Sequence, residues 1–280
     1  MAKERIGVVG PGRMGLAMVR HLIAGGYPVT VTDIAPEQVK KAEALGADGV
    51  ASAAEIGRVS RFVIIAVGFD DETIAATLGE NGLLETLESG SIIAISSTAA
   101  PDTVRLVAEK AAEKGIDVYD APTCRGRRAA DEGTLLAVVG GSDEVVARAK
   151  PVYSCFCSDI HHIGPLGHGQ MAKAVNNLVH WVNGLMLIEA GRLCEAHGID
   201  LQTLRQAMLI STGKSAALEQ WGTMSFTWAL KDMQIVQKLA DEANLGGPLI
   251  GAVRELVKDG RKLKATGDVP DWTGEGTDLS

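Results

Sequence analysis

Ile6-Gly7-Val8-Val9-Gly10-Pro11-Gly12-Arg13-Met14-Gly15 is the stretch on which the reading of this chain turns. A short apolar run ends in glycines, and a helical pattern over Met14–Ala24 follows at once. G-x-G-x-x-G is common in glycine-rich turns and says little by itself; its place between a strand and a helix gives it meaning. Gly10 permits the tight turn, Gly12 lets backbone N–H groups approach a pyrophosphate, and Gly15 lets the helix lie against the sheet. The helix start adds unpaired N–H donors and a partial positive charge. Asp33 ends the β-branched run Val29–Asp33, 18 residues after Gly15. A carboxylate there accepts hydrogen bonds from a ribose diol and repels a 2′-phosphate, while Ile34 and Ala35 offer no cation to hold one. The expected cofactor is therefore NAD rather than NADP.

Outward from this motif, strand-like runs recur at Phe62–Val67, Ser91–Ser96, Ile116–Tyr119, Leu135–Val139 and Asp159–Ile163. Helical stretches such as Pro36–Leu45 and Pro101–Lys114 lie between most of them. This alternation predicts βαβ units and a mostly parallel, doubly wound sheet. After Gly164 the character changes. Met171–His197 reads as one long helix, interrupted only by Gly184 and Gly191, and Leu201–Leu209, Ala216–Trp221, Leu230–Ala243 and Pro248–Lys258 are helical as well. The fold class is α/β: an N-terminal Rossmann domain over residues 1–164 for NAD, then an all-helical domain over 165–280 for substrate and oligomerisation, joined by a long interdomain helix. The polar stretch from Asp268 reads as a loose tail.

Composition narrows the classes. Among 280 residues, 46% are hydrophobic and 22% charged, which calls for a packed core and excludes disorder. Aromatics are only 4%, so Ala, Val, Leu and Ile must build that core. Lys plus Arg number 27 against 35 Asp plus Glu, a formal charge of −8 that argues against a nucleic-acid partner. Cys124, Cys155, Cys157 and Cys194 are expected as reduced thiols, and Cys155-x-Cys157 lacks a second ligand pair, so no metal is expected. Lys3-Glu4-Arg5 leads straight into the first strand and no apolar run reaches membrane-spanning length. The expectation is a soluble, cytoplasmic protein without a signal peptide or membrane contact.

The order of motifs resembles the β-hydroxyacid dehydrogenase family, which includes 3-hydroxyisobutyrate dehydrogenase and tartronate semialdehyde reductase. Gly10–Gly15 with Asp33 is similar to its cofactor signature, down to Met14. Ser97-Thr98-Ala99-Ala100-Pro101 resembles its S-T-x-x-P loop. Asp120-Ala121-Pro122, continuing to Gly133-Thr134-Leu135 and Gly140-Gly141, resembles its substrate block. Gly167-His168-Gly169-Gln170-Met171-Ala172-Lys173-Ala174-Val175-Asn176-Asn177 resembles its catalytic block G-x-G-x-x-x-K-x-x-N-N, and Lys231-Asp232 a later K-D pair.

The resemblance implies an NAD-dependent oxidoreductase moving hydride between nicotinamide and a short anionic β-hydroxyacid or its semialdehyde. Lys173 would be the general acid/base and Asn177, one turn on, would hold the lysine or the substrate oxygen. Thr98 would approach the nicotinamide, Lys231 would lie near cofactor and substrate, and Arg13, Met14 and Val67 complete the cofactor set. Helix geometry agrees that Lys173, Asn177, His180 and Gly184 share a polar stripe, with Val175, Leu178, Val179, Val182, Leu185 and Met186 on an opposite face expected to be core. His180 reads as pocket lining. The family usually has V-S-G-G where this chain has Thr123-Cys124-Arg125-Gly126. A thiol is a poor carboxylate anchor, whereas the Arg125 guanidinium can replace that contact or bind a sulfonate or second carboxylate, as in a sulfolactaldehyde-type reductase. A non-catalytic dinucleotide-binding assembly module is the reading from another class, opposed by the presence of Lys173. A homodimer or homotetramer is what the resemblance implies for assembly.

Overall fold

Near-continuous apolar runs dictate a sheet covered on both faces, and the computed structural model, which describes residues 3–274, has this arrangement. Its strands are β1 Ile6–Val9, β2 Val29–Thr32, β3 Asp48–Gly49, β4 Phe62–Ile65, β5 Ile92–Ile95, β6 Asp117–Asp120, β7 Thr123–Cys124, β8 Leu135–Gly140 and β9 Cys157–Gly164. They pair in the order β3-β2-β1-β4-β5-β6-β8-β7, with β9 also on β8. β1 to β6 are mutually parallel, β8 runs antiparallel to β6 and β7, and β9 is parallel to β8. Ile6, Val8, Phe62, Ile64, Ile92 and Ala94 point into one core layer, while Val9, Val63, Ile65, Ile93 and Ile95 point into the other. Near-continuous apolar strands are the signature of a sheet buried on both sides. The strand order reverses at β1, which neighbours both β2 and β4. In open α/β sheets that switch point is where ligands bind. β3 and β7 were not expected from the sequence because two residues carry no readable period.

The chain divides into two compact units, Met1–Lys173 and Ala174–Ser280. The helix His168–Ala196 begins in the first and continues in the second.

Within the second unit the long helix corrects one expectation. Val175, Val179 and Met186, expected in the core, are 54%, 55% and 55% exposed, whereas Ala174, Asn177, Trp181, Gly184 and Ile188 are buried. The buried stripe is thus the side bearing Asn177 and Gly184. Trp181 contributes most to it: a large indole on that side buries more area than any one valine. Gly184 and Gly191 are contact points for neighbouring side chains. A Cβ at Gly184 would collide with the end of Met224, and one at Gly191 with Pro270.

The stretch from Asp268 is not loose as far as it is described. Trp272 is buried and its indole N–H donates to the Leu187 carbonyl at 2.9 Å, while the Trp221 N–H donates to the Pro270 carbonyl at 2.9 Å. Glycine, proline and aspartate dominate this segment and conceal its one aromatic anchor, Trp272; residues 275–280 lie outside the described range. Beneath it, Lys264 is 2% exposed, donates to the Trp221 carbonyl at 2.7 Å and sits 4.2 Å from the centre of the Trp221 ring.

Burial outweighs these contacts and pushes the Lys264 ammonium down to about 8, with Asp271 pulling weakly the other way. Between that value and the ordinary lysine value of 10.5 the unfolded chain holds a proton that the folded protein has released, so this group's contribution to stability rises with pH across the window. Wild type should gain on the order of 1–3 kcal/mol relative to Lys264→Met between about pH 8 and 10. Urea denaturation of both proteins across that range checks it; parallel curves would show that the buried ammonium carries no such penalty.

Candidate active site

The glycine loop follows from packing limits at the end of β1. Gly10 has φ +85°, a left-handed conformation that L side chains avoid, and a Cβ there would lie 2.8 Å from the Val67 side chain. Val67, just past β4, stands beside the loop. At Gly15 a Cβ would strike the Gly10 carbonyl oxygen. Gly12 is different: a Cβ there meets nothing within 4 Å, so the approach to the start of the helix Arg13–Ala24 is open. That helix has no side-chain cap and no acidic residue in its first turn, and these features fit a pyrophosphate. Met14 is half-buried against the core. Asp33 is half-buried at the end of β2, and its Oδ1 accepts the Ala35 N–H at 2.8 Å, which fixes the carboxylate at the sheet edge. Arg13 is engaged elsewhere: its guanidinium grips Asp131 at 2.8 and 2.5 Å, holding the helix Gly126–Glu132 against its own. Arg20 and His21 bond to the same turn.

A second group forms around Asp120, at the end of β6. Its carboxylate is fully buried and accepts the N–H of Gly167 at 2.7 Å and of Gln170 at 2.7 Å, with Gly169 N–H also directed at it. It thereby satisfies the orphan donors at the start of the long helix and sits at the positive end of the helix dipole. Burial pushes the carboxyl up, against the opposing pull of these N–H groups. Space is tight: a Cβ on Gly169 would lie 2.6 Å from the Val138 carbonyl oxygen and 2.8 Å from Asp120 Oδ2. The Gln170 side chain, 1% exposed, donates to the Ser97 carbonyl at 2.7 Å and accepts the Ala99 N–H at 3.0 Å, so the two bonds straddle Thr98. Ser97 N–H donates to the Ile65 carbonyl at 3.0 Å, tying the loop to β4. Half-buried Lys173 follows Gln170 by three residues on the same helix. Neither Asp120 nor Gln170 was assigned a role from sequence. A carboxylate closing an apolar strand, and a glutamine inside a glycine-rich helix entry, are the signals that mark them.

The expected substrate loop lies beyond Asp120. Thr123 and Cys124 form β7 against β8, and Cys124 is buried, so its thiol lies among core side chains. Arg125 adopts φ +82°, and its guanidinium donates to the Thr134 carbonyl at 3.0 Å, Ser158 Oγ at 2.9 Å and Asp159 at 2.7 Å. The arginine and a hydrogen bond from Ser158 together hold the Asp159 carboxyl below the usual range. Gly126, at φ +73°, starts the helix that Arg13 holds.

In the second unit, Asn177 and the Lys231-Asp232 pair are brought together. Asp232, buried on the helix Ala229–Glu242, accepts the Asn177 side-chain amide at 2.8 Å and the Trp181 indole N–H at 3.0 Å. Half-buried Lys231 precedes it in the chain. The His180 ring lies tilted against Trp181, with ring centres 4.9 Å apart. Among the described residues no cluster of histidine, cysteine and carboxylates could hold a metal ion, and no helix is long and apolar enough to cross a membrane.

Comparison with known proteins gives consistent results. Residues 5–164 match the family described as the NAD binding domain of 6-phosphogluconate dehydrogenase, and residues 167–269 match the NAD-binding family of NADP-dependent 3-hydroxyisobutyrate dehydrogenase. The chain is 30% identical to 2-(hydroxymethyl)glutarate dehydrogenase of Eubacterium barkeri, covering 92% of this chain and 90% of that one. It is 36% identical to 3-hydroxyisobutyrate dehydrogenase of Pseudomonas aeruginosa, covering 76% and 72%. The solved structure of Mycobacterium tuberculosis 3-hydroxyisobutyrate dehydrogenase with L-serine superposes with a TM-score of 0.83 at 26% identity, covering 96% and 95%.

The Asp120 carboxylate is the most heavily bonded group of this region, and an amide cannot replace it. Asp120→Asn keeps one acceptor oxygen and points N–H donors at N–H donors, so a loss of about 2–4 kcal/mol is expected. Urea denaturation measures it; a loss below about 1 kcal/mol, the worth of one ordinary hydrogen bond, would show that the carboxylate does not hold the helix start.

Proposed function

The chain belongs to the β-hydroxyacid dehydrogenase family, and on that premise we propose that this NAD(P)-using oxidoreductase prefers NAD and acts on a short anionic β-hydroxyacid or its semialdehyde, with Lys173 as general acid/base. The observation that carries the reading is local: Lys173 stands one helical turn from Gln170, whose amide grips both sides of Thr98.

When bound, the nicotinamide supplies hydride to a carbonyl carbon or takes it from a carbinol carbon. The protein handles the proton. In reduction, the carbonyl carbon gains hydride with its electron pair and the oxygen takes a proton from Lys173 Nζ, leaving a hydroxyl and a neutral amine. In oxidation the neutral amine takes the hydroxyl proton as hydride departs. The ammonium also stabilises negative charge as it develops on that oxygen. Asn177, its amide fixed by Asp232, orients the lysine or the substrate oxygen. Asp33 favours NAD by accepting hydrogen bonds from a ribose diol and repelling a 2′-phosphate. Gly10, Gly12 and Gly15 with Met14 and Val67 shape the pyrophosphate loop, and Thr98 and Lys231 belong with the nicotinamide.

For the substrate, Thr123 to Gly126 form the loop that meets its anionic end. Arg125 carries five N–H donors, of which Nη1 makes the contacts to Thr134, Ser158 and Asp159. A second carboxylate or a sulfonate can engage the same fork. A relative named for 2-(hydroxymethyl)glutarate, a dicarboxylate, supports such substrates. The assembly is proposed as a homodimer or homotetramer, because Val175, Val179, Met186 and Leu193 form an exposed apolar stripe along one helix face.

Lys173→Ala should lower kcat by about 10²–10⁴-fold while NADH still binds, read by absorbance at 340 nm and by NADH fluorescence. The panel pairs NAD and NADP with 3-hydroxyisobutyrate, L-serine, glycerate, 2-(hydroxymethyl)glutarate, tartronate semialdehyde and sulfolactaldehyde, with Arg125→Gly alongside. Near-normal turnover in Lys173→Ala would remove that residue from the mechanism. In sedimentation, Val179→Glu should shift the protein to a smaller species; an unchanged profile would remove this stripe from the assembly interface.

A further inference from the structure

We propose that Gln170 is a positioning residue for hydride transfer: its side chain locks the Ser97–Ala99 loop to the helical turn that presents Lys173. The inference rests on the roles given above to Lys173 and Thr98. Any buried amide needs hydrogen-bond partners, but those of Gln170 are not arbitrary. Nε2 donates to the Ser97 carbonyl and Oε1 accepts the Ala99 N–H, so both peptide planes flanking Thr98 are fixed by one side chain. The Gln170 backbone N–H donates to Asp120, which anchors that side chain's own origin to the end of β6. Residues three apart on a helix share a face, so Lys173 lies on the side from which Gln170 reaches the loop. One residue thus sets the separation between the loop assigned to the nicotinamide and the amine assigned to the proton. Misplacing reacting groups by about 1 Å costs on the order of 10²-fold in rate.

Two variants separate positioning from packing. Gln170→Met fills similar volume and removes both bonds. Gln170→Glu restores both only while its carboxyl is protonated, since the neutral acid can donate to Ser97 and accept from Ala99, and burial favours that form. In the cofactor-free protein, hydrogen exchange of residues 97–101 should be faster in Gln170→Met than in wild type. Its kcat and kcat/KM should fall together by about 10–100-fold, with the hydroxyacid KM and the NADH affinity little changed. The activity of Gln170→Glu relative to wild type should climb as pH is lowered from about 8 to 5.5. Unchanged exchange with kcat within about twofold of wild type would overturn the proposal. So would a Gln170→Glu ratio that stays flat with pH, the mark of a residue that only fills space. If Lys173→Ala retained turnover, the acid/base reading would fail while the exchange result stood on its own.

Discussion

The bond on which the rest of the first unit depends is the one between the Asp120 carboxylate and the start of the helix His168–Ala196. A helix entering at a sheet end leaves four N–H groups without partners. Here a buried anion from β6 takes several of them, and the lack of a Cβ at Gly140 and Gly169 leaves space for it to do so. Neutralising a helix terminus with an anion from another element locks the helix in direction and register, which a solvent-exposed serine or aspartate cap on the helix itself would not do. Gln170 and Lys173 inherit that register. The chemistry assigned to Lys173 therefore depends on a carboxylate that need not touch a substrate.

The sequence made the first half of this legible and hid the second. Apolar strands with glycine and proline punctuation mark β1, β2, β4 and β5, whose burial on both faces leaves a continuous signal; β6, β8 and β9 are less buried and show as short strand-like runs between turn residues. The loop Gly10–Gly15 was readable because Gly10 and Gly15 answer backbone requirements that few other residues meet. The direction of the long helix's buried face was not readable. Helical spacing puts Val175, Val179 and Leu185 inside; Leu185 is buried, but the two valines are exposed and Asn177 is buried by its bond to Asp232, and no periodicity announces a pairing 55 residues away. Trp272, in a stretch that reads as a tail, was hidden in the same way: its burial depends on a groove opened by Gly191. What sequence pattern misses here is contact between segments far apart in the chain, polar between Asn177 and Asp232 and apolar where Trp272 packs at Gly191.

Arg125 shows how a departure from an expected pattern is absorbed. The resemblance calls for glycine there, and the backbone has the conformation glycine favours, φ +82°. An L-residue in that conformation costs about 1–2 kcal/mol. The same side chain that incurs the cost also reaches Asp159, Ser158 and the Thr134 carbonyl, joining the loop to β9 and to the end of the helix Gly126–Glu132. That helix is held from the other side by Arg13, the first residue of the pyrophosphate helix, through Asp131. Two arginines therefore pin the segment between β7 and β8 at both ends, one to the sheet and one to the nucleotide loop. A substrate anion that draws on Arg125 must share it with Asp159, so charge at this end of the substrate is weighed against a carboxylate already in place. On the proposed function, a singly charged substrate would leave that pair intact, whereas a second anionic group would gain only where it bonds to the fork without displacing Asp159. On that reading the loop would discriminate by the number and placement of negative charges.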